Sequence, residues 1–207
     1  SNLTLKPDTE LASYLAAAVI NHGRGRLILK NFTQDELQGS PLSQLKRMGT
    51  DVTNVKRKDY FGIEISGSDL KSKKVSYEQL HEYPESLGAF ALAGCATEGT
   101  ALIRTSPYTT DREEKQRRQI CNVIRSMGIK IAELEDGIVV EGKEELSDKI
   151  ILVEKDHLSV LTAIAAALGI VRQFEVEDIS AARARWGESL DEVLAVLGPA
   201  VVSEAPQ

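Results

Sequence analysis

Cysteine is scarce in this sequence: Cys95 and Cys121 are the only two among 207 residues, so no disulfide framework is expected. Both fall in segments that read as helix, which suggests small buried thiols in a reduced, cytoplasmic protein. Proline is sparse at six residues, and no Gly/Ser/Pro-rich stretch divides the chain, so one domain is expected rather than two joined by a linker. No apolar run approaches the roughly 20 residues that span a bilayer, and no membrane partner is expected. Positive charge is in deficit, with 25 Lys and Arg against 31 Asp and Glu and a net charge of -6. Binding of nucleic acid by bulk phosphate neutralisation is therefore not expected. His22, His81 and His157 show no metal-ligand spacing with one another or with the cysteines, so no metal site is expected. The chain opens on Ser1-Asn2-Leu3 without Met or a signal-peptide pattern, a start that leaves open a piece of a longer protein.

What the sequence does contain is self-similarity. An Ala-rich segment occurs three times, at Leu11–Ala18, Leu87–Ala93 and Leu161–Ala167. Each is followed by a glycine-marked turn and an apolar strand pattern: Leu27-Ile28-Leu29, Ala101-Leu102-Ile103 and Phe174-Glu175-Val176. Amphipathic segments follow in the same order. Leu42, Leu45 and Met48, and then Ile120, Val123, Ile124 and Met127, keep the three-and-four spacing of a helix with one buried face, closed by Gly49 and Gly128. Alternation at Phe61–Ile65 and Ile138–Glu141 predicts strands, the latter entered through a hairpin at Asp136-Gly137. Helices that are narrow and apolar all round belong between other elements. The reading is one α/β domain over residues 3–199, with quasi-repeats at about 5–75, 76–148 and 149–199 and a flexible tail over 200–207.

The residues that join these units resemble the 5-enolpyruvylshikimate-3-phosphate (EPSP) synthases. The resemblance rests on Arg125-Ser126-Met127-Gly128 ahead of Glu133–Gly142, on Asp156-His157 opening an Ala-rich helix, on Glu98-Gly99-Thr100, and on Lys30-Asn31-Phe32 followed by Leu45–Val52. It covers about residues 5–198, yet only one of the two globular halves of such an enzyme. It implies an inside-out α/β barrel of three βαβαββ-like units with buried helices faced by small sheets. It also implies transfer of the enolpyruvyl group of phosphoenolpyruvate to a hydroxyl of shikimate 3-phosphate, without metal or organic cofactor. A complementary domain or a homo-oligomer would complete the site.

Residue by residue, the resemblance places the proposed general base at Pro84-Glu85, where the family has Pro-Asp. The added methylene moves the carboxylate by about 1 Å, enough to matter for catalytic geometry. Glu85 also reads simply as a first-turn acid favoured by a helix dipole. The family's Leu-Arg-x-Lys-Glu signature falls on Thr109–Gln116, so Arg112 and Glu113 keep the Lys-Glu chemistry while Thr110 and Gln116 replace the flanking arginines. Arg117 or Arg118 could stand in for them. Equally, Thr110 or Asp111 could cap a solvated helix with Glu113, Glu114, Lys115, Arg117 and Arg118 on its wet face. Asp-His-Arg becomes Asp156-His157-Leu158, and the family's late Lys falls near Arg185, beside the lone Trp186, which reads as a packing residue. Lys6-Pro7-Asp8 resembles the Gly-Asp that leads into this half. Gly23-Arg24-Gly25 precedes a strand and so is no phosphate loop, while Lys71, Lys73 and Lys74 read as a solvated turn.

Two functions follow from these residues. One is an enolpyruvyl transferase half in which Glu85 and Glu113 are catalytic and Arg112, Arg185, Asp156 and His157 bind substrate, incomplete or inactive alone. Phosphates and carboxylates need convergent cations, and a hydroxyl acceptor needs a base. The other is a noncatalytic binding or scaffold domain that kept the fold, favoured by the lost cations at Thr110, Gln116 and Leu158.

Overall fold

The computed structural model describes residues 8–23, 25–67, 70–71, 74–75, 77–105, 110–142, 149–152, 156–170, 173–176 and 178–196. The expected tail over 200–207 lies outside them. The helices are α1 (Thr9–His22), α2 (Gln34–Gln38), α3 (Pro41–Met48), α4 (Tyr77–Glu82), α5 (Leu87–Cys95), α6 (Asp111–Ser126), α7 (His157–Gly169), α8 (Ser180–Trp186) and α9 (Glu188–Val196). The strands are β1 (Arg26–Lys30), β2 (Asp51–Lys56), β3 (Phe61–Ser66), β4 (Leu70–Lys71), β5 (Lys74–Val75), β6 (Thr97–Glu98), β7 (Thr100–Arg104), β8 (Ile131–Leu134), β9 (Gly137–Glu141), β10 (Lys149–Leu152) and β11 (Gln173–Val176). A 3-10 turn, Pro84–Ser86, leads into α5.

The three Ala-rich segments form α1, α5 and α7, and each packs on the other two. Every residue of α5 is buried, as is α7 from Leu158 to Ala166. Small side chains let the axes approach closely. A Cβ at Gly88 of α5 would lie 2.3 Å from Thr162 Oγ1 of α7 and 2.6 Å from Tyr14 Oη of α1, so only glycine fits where the three helices meet.

Small sheets cover this helical centre in a mixed α/β fold. Strands β1, β3 and β2 form an antiparallel sheet in that order, packed on α1 through β1 and β3. A second sheet runs β5-β7-β9-β8; its last three strands are antiparallel and β5 joins parallel to β7. Parallel pairs β10–β11 and β4–β6 complete the described strands. The amphipathic helices fall as expected. Leu42, Leu45 and Met48 are buried on α3, and Ile120, Val123, Ile124 and Met127 are buried on or just after α6.

Two local expectations change. The second hairpin turns at Glu135-Asp136, and Gly137 opens β9 opposite Leu134. A Cβ at Gly137 would sit 2.2 Å from the Ile103 carbonyl oxygen, so this glycine answers the neighbouring strand rather than the turn. Lys71 and Lys74 lie in β4 and β5 instead of a turn, because Leu70 and Lys74 pair with Thr97 and Leu102. Both cysteines are free and buried, and burial pushes each thiol up to about 12. Among the described residues, no helix is long and apolar enough to cross a membrane.

Gly88→Ala should lower stability by about 1–3 kcal/mol in urea unfolding, the usual range for overpacking a core, despite alanine's better helix propensity. Gly39→Ala, where a Cβ meets nothing closer than 3.7 Å at a negative φ of -88°, should be neutral or stabilising by up to about 1 kcal/mol. Equal effects of the two would contradict the close meeting of the three helices.

Candidate functional site

The N-terminal ends of α1, α5 and α7 come together, and the charged residues near these ends make the site. Asp8 caps α1, its carboxylate accepting from the Leu11 N–H at 2.9 Å, and Glu10 lies in the first turn. Asp156 caps α7, accepting from the Leu158 and Ser159 N–H groups at 3.1 Å each, and His157 follows it. Glu85 sits in the 3-10 turn before α5. Acids at these positions are stabilised by the positive helix ends, and the same ends attract anionic ligands.

Glu85 is the meeting point. Its carboxylate lies 3.8 Å from His157 Nε2 and 3.6 Å from Arg185 Nη2 at the end of α8. Arg185 also faces Glu10 at 3.9 Å and Asp8 at 4.0 Å. Its guanidinium stands 5.7 Å from the Trp186 ring, within cation–π range, and that ring packs 5.6 Å from His157 at 49°. Trp186 is thus a packing residue, and what it packs is the site. The Tyr14 hydroxyl donates to the Glu85 carbonyl oxygen at 2.8 Å. Burial pushes the pKa of this phenol strongly up, so it remains a donor at any working pH.

Among the described residues, His157 Nε2, Asp156 Oδ2 and Trp186 Nε1 are buried atoms without a hydrogen-bond partner, and the ion pairs of Arg185 are all longer than a hydrogen bond. Glu10 carries the clearest electrostatic mark. Burial, a hydrogen bond with the Glu85 carboxyl and the charges of Glu85 and Asp8 raise it from 4.5 to about 7, against the opposing pull of Arg185. A carboxylate flanked by an imidazole and a guanidinium at convergent helix ends can hold an anion and move a proton beside it. Among the described residues no group of three His, Cys, Asp or Glu side chains is placed to hold a metal. A separate apolar groove of about 440 Å³ lies along the later turns of α1, lined by Leu15, Ala18, Val19, Leu27 and Leu168 among others; the charged chemistry sits at the other end of that helix.

Residues 1–204 match the EPSP synthase (3-phosphoshikimate 1-carboxyvinyltransferase) family. The chain belongs to this family. The 3-phosphoshikimate 1-carboxyvinyltransferase of Streptococcus sanguinis is 26% identical over 181 residues, covering 84% of this chain and 42% of that protein. Its counterpart in Thermococcus kodakarensis is 28% identical over 173 residues, covering 83% and 41%. The chain therefore spans about two-fifths of the length of these relatives. Among solved structures, an EPSP synthase from Acinetobacter baumannii superposes with a TM-score of 0.70 at 20% identity, covering 96% of this chain and 46% of that one. An enolpyruvyl transferase from Streptomyces tendae gives 0.71 at 20% identity, covering 95% and 44%. Both share the fold of one half of a longer chain.

Of the residues singled out in the sequence, the structure brings together Glu85, Asp156, His157 and Arg185. Arg112 and Glu113 are exposed in the first turn of α6, and among the described residues neither forms an ion pair with Glu85 or Arg185. The Glu113 carboxylate closes a capping box, accepting from Thr110 N at 2.7 Å and Thr110 Oγ1 at 2.8 Å. These bonds hold its pKa below the usual carboxylate value, aided by the nearby charges of His81 and Arg112. Arg117 is buried rather than solvated, donating to Thr105 Oγ1 and the Glu135 carbonyl oxygen. It holds the hairpin, while Arg118 beside it is exposed. The sequence reading missed Glu10 and Tyr14. A tyrosine within an otherwise small, apolar helix was the available signal for the second; nothing marked the first.

Tyr14→Phe leaves the buried Glu85 carbonyl without its donor and should cost about 1–3 kcal/mol in chemical denaturation. Glu10 holds its proton more tightly folded than unfolded, so its ionisation penalises the fold. The penalty is absent below about pH 4.5, grows as pH rises and is complete above about 7. Glu10→Gln should therefore raise the melting temperature more at pH 8 than at pH 5. The difference should be on the order of 1 kcal/mol, moderated by the water that reaches this partly exposed carboxyl; a larger gain at pH 5 would contradict the assignment.

Proposed function

We propose that this chain is one half of an enolpyruvyl transferase: an inside-out α/β barrel of three quasi-repeats that acts on phosphoenolpyruvate and shikimate 3-phosphate, or a similar phosphorylated hydroxyl acceptor, with a complementary domain or second copy. The observation that carries this reading is the convergence of His157 and Arg185, from two sequence-distant elements, each within 3.8 Å of the Glu85 carboxylate, in a chain of the EPSP synthase family.

In this reading Arg185 holds a carboxylate or phosphate oxygen of phosphoenolpyruvate, where a fork of N–H donors suits a planar anion. Glu85 takes the proton of the acceptor hydroxyl as its oxygen bonds to C2 of phosphoenolpyruvate, the double bond opening as C3 gains a proton from a second acid; loss of a C3 proton as the C2–O bond to phosphate breaks then restores the double bond and releases phosphate. His157, 3.8 Å from the Glu85 carboxylate, orients it, and Asp156 fixes the helix end from which His157 projects. Arg112 and Glu113 would reach substrate from α6, with Glu113 giving up part of its capping box. The Trp186 ring fixes Arg185 and His157 relative to each other.

A second reading, a noncatalytic binding domain, is supported by three features. Arg185 already faces three carboxylates. Leu158 is fully buried where the resemblance calls for an arginine. Glu113 is engaged at its own helix end.

Phosphate release from phosphoenolpyruvate plus shikimate 3-phosphate separates them, measured for the chain alone and mixed with the amino-terminal half of a full-length relative. The transferase reading expects turnover in at least one of these, reduced about 10²- to 10³-fold by Arg185→Ala and by Glu85→Gln, the usual effect of removing one charge-stabilising or proton-moving group. Absence of turnover under both conditions would select the binding domain.

A further inference from the structure

We propose that Glu10 couples anion binding at this site to proton uptake: a ligand carboxylate or phosphate that draws the Arg185 guanidinium from its carboxylate neighbours leaves a proton on the Glu10 side chain. The inference rests on reading Arg185 as the anion-binding group.

The geometry sets up the exchange. The Glu10 and Glu85 carboxylates share the one Arg185 guanidinium, and two like charges around one cation favour a proton on one of them once that cation is drawn away. Arg185 faces both, at 3.9 Å and 3.6 Å, and Asp8 at 4.0 Å. None of these contacts is short enough to be a hydrogen bond. The guanidinium is therefore attracted to the acids without being locked to them, and an anion that engages its N–H fork directly makes the stronger contact.

Apart from Arg185 and the positive end of α1, the groups around Glu10 favour the proton. Asp8 faces it from the cap of α1 and Glu85 from the turn before α5. The Tyr83 phenol, which donates to the Gly39 carbonyl oxygen, also lies in its field. Asp156 and His157 approach from α7 through Glu85 and Tyr14, whose own hydroxyl stays protonated. Among the described residues Arg185 is the charged side chain that lowers the proton affinity of Glu10. Neutralising Arg185 with a bound anion removes that opposing charge while burial, Glu85 and Asp8 remain. Without ligand, Glu10 is half protonated near pH 7. Proton uptake on binding is small at pH 6, where Glu10 is already protonated, and approaches one per ligand at pH 8. Across that upper range affinity falls toward tenfold per pH unit.

The test is calorimetric titration of phosphoenolpyruvate into the full chain at pH 6 and pH 8, each in two buffers of different ionisation enthalpy. The phosphate of the ligand, with a second pKa of about 6, is fully ionised at the higher pH. The wild-type chain should take up about 0.5–1 proton per ligand at pH 8 and bind more weakly there than at pH 6. Glu10→Gln should lose most of that uptake and bind about tenfold more tightly than wild type at pH 8. The wild-type proton count stands by itself should the variant fail to fold. Normal binding without proton uptake, or the same uptake in wild type and Glu10→Gln, would overturn the inference and leave the anion site intact. No binding by either protein at pH 6 or pH 8 would overturn the anion site and the inference with it.

Discussion

The site depends on one hydrogen bond, from the buried Tyr14 hydroxyl to the Glu85 carbonyl oxygen. Tyr14 has no exposed surface, and its ring stands where α1, α5 and α7 meet, against the space that only Gly88 leaves open. The bond anchors the turn bearing Glu85 to the least deformable part of the core. Close-packed interiors transmit displacement rather than absorb it, so the position of the Glu85 carboxylate is set by the helix packing beneath it. That packing is available only because the three helices carry alanine and glycine at their contacts. A larger residue at Gly88 would push Tyr14 and Thr162 apart and move Glu85 with them.

Electrostatics then acts on a fixed frame. Three helix N-termini point one way, and their partial positive charge explains why Asp8, Glu10, Glu85 and Asp156 are tolerated side by side. Two of these acids already serve as caps. A cap carboxylate is held by backbone N–H groups, whereas Glu10 has no such bond and carries the electrostatic strain of the group. Arg185 relieves it only in part, because its guanidinium is 45% exposed and its ion pairs are loose; exposed pairs of this kind contribute about 1 kcal/mol or less each.

The sequence made the secondary structure and the buried helices legible because both leave periodic traces: the three alanine stretches, the one-sided apolar pattern of α3 and α6, and the glycines that close them. Glu85, His157 and Arg185 were singled out through the family resemblance, and the structure places His157 and Arg185 beside the Glu85 carboxylate. Glu10 and Tyr14 were not, since their meaning lies in contacts with a turn more than 70 positions away, and no local pattern encodes such a distance. Arg117 was misread for a related reason. Its neighbours on α6 form a polar face, but the hairpin folds back over that one position and converts a surface cation into a buried strut. Glu113 shows the opposite ambiguity, because the same carboxylate suits a helix cap and a ligand, and here the cap has it.

The charge of the assembled site bears on what must come from outside this chain in the proposed reaction. Four carboxyl groups gather around one guanidinium and one imidazole, while the reaction brings together two phosphates and a carboxylate. Such ligands need several convergent cations in a site where water is excluded. On this chain the further arginines of the helical face, Arg112 and Arg118, lie exposed on α6 outside the Glu85 cluster, and Arg117 is held by the hairpin. In the proposed reaction an isolated half with this composition would bind such anions weakly unless protons neutralised its acids. A complementary surface rich in Lys and Arg, closing over the convergent helix ends, would supply the missing charge and exclude the water that now weakens the ion pairs of Arg185. In the transferase reading proposed above, the acid excess leaves most of the electrostatic work of holding the substrates to a complementary cationic surface.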